Sequence, residues 1–141
     1  MDYARSFAVS AAGMVAERTR VEAAALNLAN ANTVQGAGGA VYQPMRVVIH
    51  PGEFTALVAA GLQSVSVPAA HLEPTGARPR MVQEPGHPLA DERGLVAYAG
   101  VDSATEMVTL MSATRAYEAN VAALNTARAL ALKTLDIGRT P

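Results

Sequence analysis

Side chains able to do acid, base or metal chemistry are sparse, and only His87, Asp91 and Glu92 form a dense group. An imidazole and two carboxylates are donors a divalent cation accepts. Their spacing matches no zinc motif, however, and Pro85, Gly86 and Pro88 place them in a turn, so a solvated loop is the simpler reading. His50 and His71 stand alone near prolines, and acid or base work by either needs a partner carboxylate that the sequence does not indicate. Gly36-Ala37-Gly38-Gly39 lacks the Lys-Ser/Thr ending of a phosphate loop and opens no helix, which leaves a flexible linker. Ser6, Ser10, Ser64, Ser66, Ser103 and Ser112 have no nucleophile-elbow context. The expectation is a non-enzyme with no catalytic residue, no metal and no cofactor.

Composition narrows the alternatives. The chain has 141 residues, half of them apolar and 16% charged, so one folding unit with much surface to bury is expected. A net charge of −1 lacks the clustered basic surface that phosphate backbones require, which argues against nucleic acid. The absence of cysteine excludes disulfides and thiolate chemistry. Ala11-Ala12-Gly13-Met14-Val15-Ala16 is apolar and small, but it has no basic region before it and ends at Glu17 and Arg18, unlike a cleavable signal peptide. No stretch reaches the roughly 18 to 20 apolar residues of a membrane span, so direct membrane insertion is not expected.

These residues must be held by elements whose limits the helix breakers set. Seven of the eight prolines fall between Pro44 and Pro88, and most glycines between Gly36 and Gly100. The expected fold is mainly α with a small β-rich insertion: an N-terminal helix in 1–34, a central β-rich domain in 35–101, and a C-terminal helix in 102–141. Short strands are read near Val41 to Ile49, Gly61 to Val67, Arg80 to Gln83 and Leu95 to Tyr98. The C-terminal helix is read as starting at a capping box of Ser103 and Glu106, and as ending near Lys133 and Gly138.

Both terminal helices carry a 3.5-residue apolar repeat, which predicts paired coiled-coil helices. In the first, Phe7, Ala11, Met14, Val21, Ala25 and Leu28 form the stripe, interrupted at Arg18. In the last, it runs through Met107, Leu110, Thr114, Tyr117, Val121, Leu124, Arg128, Ala131 and Leu135. Phe7, Met14, Val21, Leu28, Leu110, Tyr117, Val121, Leu124 and Leu135 are the expected intramolecular pairing residues. A second stripe of Ala113, Ala116, Ala123, Ala127, Leu130 and Ile137 shares the last helix. One partner helix cannot cover both stripes, so Ala116, Ala123, Ala127 and Leu130 are expected to meet other subunits. The terminal helices are accordingly expected to be poorly ordered until a neighbour covers them.

Three segments resemble the flagellar axial proteins, the rod and hook family. Leu26-Asn27-Leu28-Ala29-Asn30-Ala31-Asn32-Thr33 is similar to the signature closing that family's N-terminal helix, with Asn30, Asn32 and Thr33 at a helix end. Glu84 to Tyr98, with Pro85, Gly86, His87, Pro88, Asp91 and Gly94, resembles a loop and strand of a proximal rod protein and is the most discriminating segment. The run through Arg115, Tyr117, Glu118 and Asn120 to Arg139 resembles the family's C-terminal helix. The likeness covers both ends and the late centre, while residues 50–75 show little that can be placed. Where the family has a basic run after its tyrosine, this chain has Tyr42-Gln43-Pro44-Met45-Arg46.

The resemblance implies a structural subunit of the rod crossing the periplasm, exported by the flagellar type III apparatus without a cleaved signal. It implies an inner layer of paired helices, a β-rich domain outside it, and helical assembly that transmits motor torque. The implied partners are other copies of the chain, other rod proteins, the adaptor joining rod to membrane ring, and the export apparatus. The competing expectation is a secreted helical module that binds membranes or a partner protein through its amphipathic ends.

Overall fold

A computed structural model describes residues 3–34, 39–50 and 69–137. The strand read at 61–67 and the cap read at Gly138 lie outside the described residues. Two helices, α1 (Tyr3–Ala29) and α2 (Ser103–Ile137), enclose in sequence four strands: β1 (Met45–His50), β2 (Ala69–Pro74), β3 (Arg80–Gln83) and β4 (Leu95–Tyr98). The described residues are mostly helical, and among them the strands form two separate antiparallel two-stranded sheets.

The helices pack against each other in antiparallel fashion. Asn27 lies opposite Glu106, and Gly13 lies against Asn120. The same number of residues separates Gly13 from Asn27 as separates Glu106 from Asn120, so the pairing runs without a slip. Small side chains make the approach close. Ala16, Ala23, Ala24 and Ala113 are buried, and a Cβ added to Gly13 would come within 2.8 Å of the Asn120 side chain.

The sheets are too small to stand alone, since a lone two-stranded hairpin is marginal in water. β1 pairs with β2 from Met45↔Pro74 to His50↔Ala69, and both strands lean on α1. β1 starts at Met45 and not at Val41, because Pro44 has no N–H for the ladder and the Tyr42–Met45 stretch bonds to α1 instead. The β2 strand was not expected from the sequence. β3 and β4 occupy the ranges read for them, paired from Arg80↔Tyr98 to Gln83↔Leu95. Val34 bridges the other side of β4 at Tyr98, and the Ala99 N–H donates to the Thr33 carbonyl at 3.0 Å. Val96 and Ala99 are buried beneath this junction.

The cap of α2 differs from expectation. Asp102, not Ser103, closes the helix: its carboxylate accepts the Ala104 N–H at 3.1 Å and the Thr105 hydroxyl at 2.8 Å. A carboxylate here satisfies free donors and faces the positive end of the helix dipole. Glu106 is thereby left free for α1. The bonds from Thr105 and then from the Ala104 backbone hold the Asp102 carboxyl below its ordinary value of 3.8.

Two predictions arise here. The Asp102 cap is fully formed above pH 3.8 and is lost as pH falls through the lowered value, so an NMR titration of Asp102 should show a midpoint below 3.8. Thr105→Val should move that midpoint upward. Gly100 packs so tightly on the Arg78 backbone that an added Cβ would run into its carbonyl oxygen. Gly100→Ala is therefore expected to cost about 2 kcal/mol in chemical denaturation, as overpacking against rigid backbone does.

Candidate functional site

The polar centre of the molecule is Asn27, which has no solvent exposure. Its Nδ2 donates to the Met45 carbonyl at 2.8 Å and to Glu106 Oε1 at 3.0 Å. Its Oδ1 accepts from the Tyr42 hydroxyl and from the Met45 N–H, each at 2.9 Å. A side-chain amide has two donor hydrogens and two acceptor lone pairs, and all four are used. One residue thus joins α1, the approach to β1 and the first turn of α2. Burial, and next the negative charge of Glu106, raise the Tyr42 hydroxyl above its ordinary value of 10.0. Asn27 stands within the helix-closing motif of the sequence, where its residue type alone does not reveal this role. The signal was there: an asparagine inside a helix, between Leu26 and Leu28, is a poor helix former without another duty.

The rest of that motif ends the helix. Asn30 Nδ2 donates to the Leu26 carbonyl at 2.8 Å, and the Thr33 hydroxyl donates to the Asn30 carbonyl at 2.8 Å. Asn32 is exposed. In place of a basic run after the tyrosine, Gln43 is exposed and Arg46 sits 3.8 Å from Glu73 across the β1–β2 pair.

The group containing His87 and Asp91 braces a turn. Asp91 Oδ1 accepts the N–H groups of Arg93 and Leu95, both at 2.8 Å, and His87 Nδ1 accepts the Leu89 N–H at 3.1 Å. Gly94 has a φ of 75°, and a Cβ there would press on Pro85, so the turn needs glycine twice over. Glu84 accepts from the Tyr98 hydroxyl at 3.0 Å, which is the main reason the Tyr98 phenol sits above its ordinary value. The Arg80 guanidinium lies over the Tyr98 ring, 5.3 Å from its centre. Among the described residues no three His, Cys, Asp or Glu side chains are placed to share a metal ion.

The helix residues singled out from the sequence are distributed as follows. Phe7, Met14, Val21, Leu28, Leu110, Val121 and Leu124 are half-buried, while Tyr117 and Leu135 are exposed. On α1 the deepest positions are instead Ala16, Ala23, Ala24 and Asn27, with the larger side chains flanking them. Ala123 and Leu130 are exposed, whereas Ala116 and Ala127 are half-buried. Arg115 and Glu118 are exposed, and Asn120 is half-buried against Gly13. Continuing the antiparallel alignment brings Tyr3 level with Leu130, so the last turns of α2 project past the start of α1.

Large apolar side chains remain in solvent along α2. They are Met107, Val108 and Met111 near its start, and Leu130, Leu132, Leu135 and Ile137 near its end, with Ile137 at 75% exposure. No helix among the described residues is long and apolar enough to cross a membrane. A helix edge with this much exposed apolar surface is suited to contact with other proteins.

Comparison with known proteins gives this surface a context. The family described as flagellar basal body rod FlgEFG protein C-terminal matches residues 92–137. The flagellar basal-body rod protein FlgC of Escherichia coli O6:H1 is 40% identical over 133 residues, covering 94% of this chain and 96% of that protein. The FlgC protein of Salmonella typhimurium is 39% identical over the same shares of both chains. That of Bacillus subtilis is 32% identical, covering 95% of this chain and 97% of the relative. Likeness at this level along almost the whole of both partners is shared ancestry, and the chain belongs to the FlgC family of flagellar basal-body rod proteins.

Proposed function

We propose that the chain is a structural subunit of the flagellar rod, joined to its neighbours through the outer edge of α2. The observation that carries the proposal is the two groups of exposed apolar side chains on that helix, Met107, Val108 and Met111 near its start and Leu130, Leu132, Leu135 and Ile137 near its end. Fully burying one Leu or Met side chain contributes about 1.5–3 kcal/mol, so covering even several of these would supply a large share of a subunit's cohesion. The names of the FlgC relatives support the setting.

In this reading α1 and α2 form a coiled-coil layer, and the two small sheets are carried outside it. Contacts between unlike faces of successive subunits do not close on themselves but propagate as a helical array. Ala123 and Leu130 meet neighbouring chains directly, and Ala116 and Ala127 allow those chains to approach closely. Leu110, Tyr117, Val121, Leu124 and Leu135 pair with Phe7, Met14, Val21 and Leu28 or continue that seam in the assembly. The neighbours are copies of this chain, other rod proteins and the adaptor to the membrane ring. Delivery is by the flagellar type III export apparatus, and the assembled tube carries motor torque across the periplasm. No step of this role calls on catalysis.

Ala123→Glu tests the proposal. The position is exposed in the single chain, so the variant should change the subunit's stability by no more than about 0.5 kcal/mol. Placed at a close contact between subunits, the buried charge should abolish incorporation into isolated basal bodies and stop swimming. Wild-type motility of the Ala123→Glu strain would refute the assignment of this face.

A further inference from the structure

The chain has no cysteine, so its only oxidisable sulfur belongs to its six methionines. They are not equally placed. Among the described residues Met14 and Met45 are half-buried, whereas Met81 on β3 and Met107 and Met111 on α2 are exposed. Met107 and Met111 are 60% and 55% exposed and lie one turn apart on the same face of the helix, with Val108 beside them. Met81 belongs to a small sheet that the proposed contact does not use.

Access decides which thioether a dissolved peroxide reaches. A sulfur lone pair attacks one peroxide oxygen and the O–O bond breaks. The leaving hydroxide takes the proton of the transferred oxygen and departs as water, so the sulfur is oxidised by two electrons and the peroxide reduced by two. The product is a sulfoxide, polar where an apolar side chain stood. A thioether needs no partner in a dry contact, but a sulfoxide oxygen held away from water without a donor bears its desolvation cost. The threonine hydroxyls nearest the pair along α2 are already committed: Thr105 donates to Asp102, Thr109 to the Thr105 carbonyl and Thr114 to the Leu110 carbonyl.

We propose that Met107 and Met111 form an oxidation-sensitive modification site: peroxide converts them to sulfoxides in the free subunit, and a subunit so modified is excluded from the array. The inference rests on the reading of α2 as the contact edge. Where a neighbour covers that edge the sulfurs are out of the peroxide's reach, so oxidation and assembly oppose each other. A sulfoxide reductase, which returns the thioether, makes the exclusion reversible.

The first measurement uses the purified full chain and hydrogen peroxide, with sulfoxide mapped by peptide mass spectrometry. Met81, Met107 and Met111 should be oxidised ahead of Met14 and Met45, and the reverse order would overturn the proposal. The second uses a strain whose only copy of the chain is induced just before a brief peroxide pulse, with the peroxide removed before the new subunits assemble. Subunits in isolated basal bodies are then compared with those left unassembled. Sulfoxide at 107 and 111 should be depleted about tenfold or more in the assembled pool, the effect of one unsatisfied buried acceptor. Sulfoxide at Met81 should be equally frequent in both pools, which controls for general damage. The pulse should lower incorporation of the unaltered chain and spare that of Met107→Leu/Met111→Leu, each measured against its own level without peroxide. Equal sulfoxide at 107 and 111 in the two pools would overturn the proposal, as would equal depletion at all three exposed methionines. Equal sensitivity of the double variant and the unaltered chain would overturn it too. The contact edge is read separately from Ala123→Glu: if that variant fails to assemble while the sulfoxides are evenly shared, the edge stands and only the modification site falls.

Discussion

The fold depends on a buried amide that must be satisfied from three directions at once. Asn27 takes a hydrogen bond from Tyr42, exchanges two with the Met45 backbone and gives one to Glu106. An amide held away from water is costly unless it is bonded, so these partners cannot be displaced independently. The constraint brings together residues that are far apart in sequence. It seats the start of β1 on α1 and, through Glu106, sets the first turn of α2 beside the last turns of α1. Among the described residues no buried side-chain nitrogen or oxygen is left without a partner.

Around this centre the usual allocation of side chains is inverted. The deepest apolar positions are alanines, with Val96 the largest fully buried apolar side chain. Many of the leucines, methionines and valines of the helices stay at least partly in solvent. An alanine seam lets helix backbones come close but yields little hydrophobic free energy per residue, because that energy follows the apolar area removed from water. Further apolar area is left exposed on α2, so a chain arranged in this way draws only modest hydrophobic stabilisation from its own helix contacts.

The sequence was legible where local chemistry and tertiary demand agreed. Proline and glycine spacing confined the helices to the two sides of a β-containing centre, and the β3 and β4 ranges matched because turn residues isolate them. It was less legible where a tertiary partner made the choice. The β2 segment, Ala69-Ala70-His71-Leu72-Glu73-Pro74, has none of the β-branched residues that mark strands, and it is extended because β1 supplies its ladder. Ser103 and Glu106 satisfied the local pattern of a capping box, yet Asp102 is the stronger acceptor and Glu106 is drawn away by Asn27. The heptad stripes were identified by their large side chains. Close approach selected the adjacent small ones on α1, so the line of deepest burial lies to one side of Met14, Val21 and Leu28.

The same logic accounts for side chains that resemble catalytic equipment. A sheet of two four-residue strands has too few ladder bonds to be stable alone, so its connecting turn must be rigid. Asp91 and His87 accept backbone N–H groups within that turn, and Glu84 accepts the Tyr98 hydroxyl across the end of the strands. An oxygen or nitrogen committed to holding backbone is poorly placed to move protons. The polar residues are used to keep small local pieces stiff, while the apolar residues of α2 face outward. Rigidity and surface available for contact thus come from separate parts of the chain, which suits a structural component of the flagellar rod.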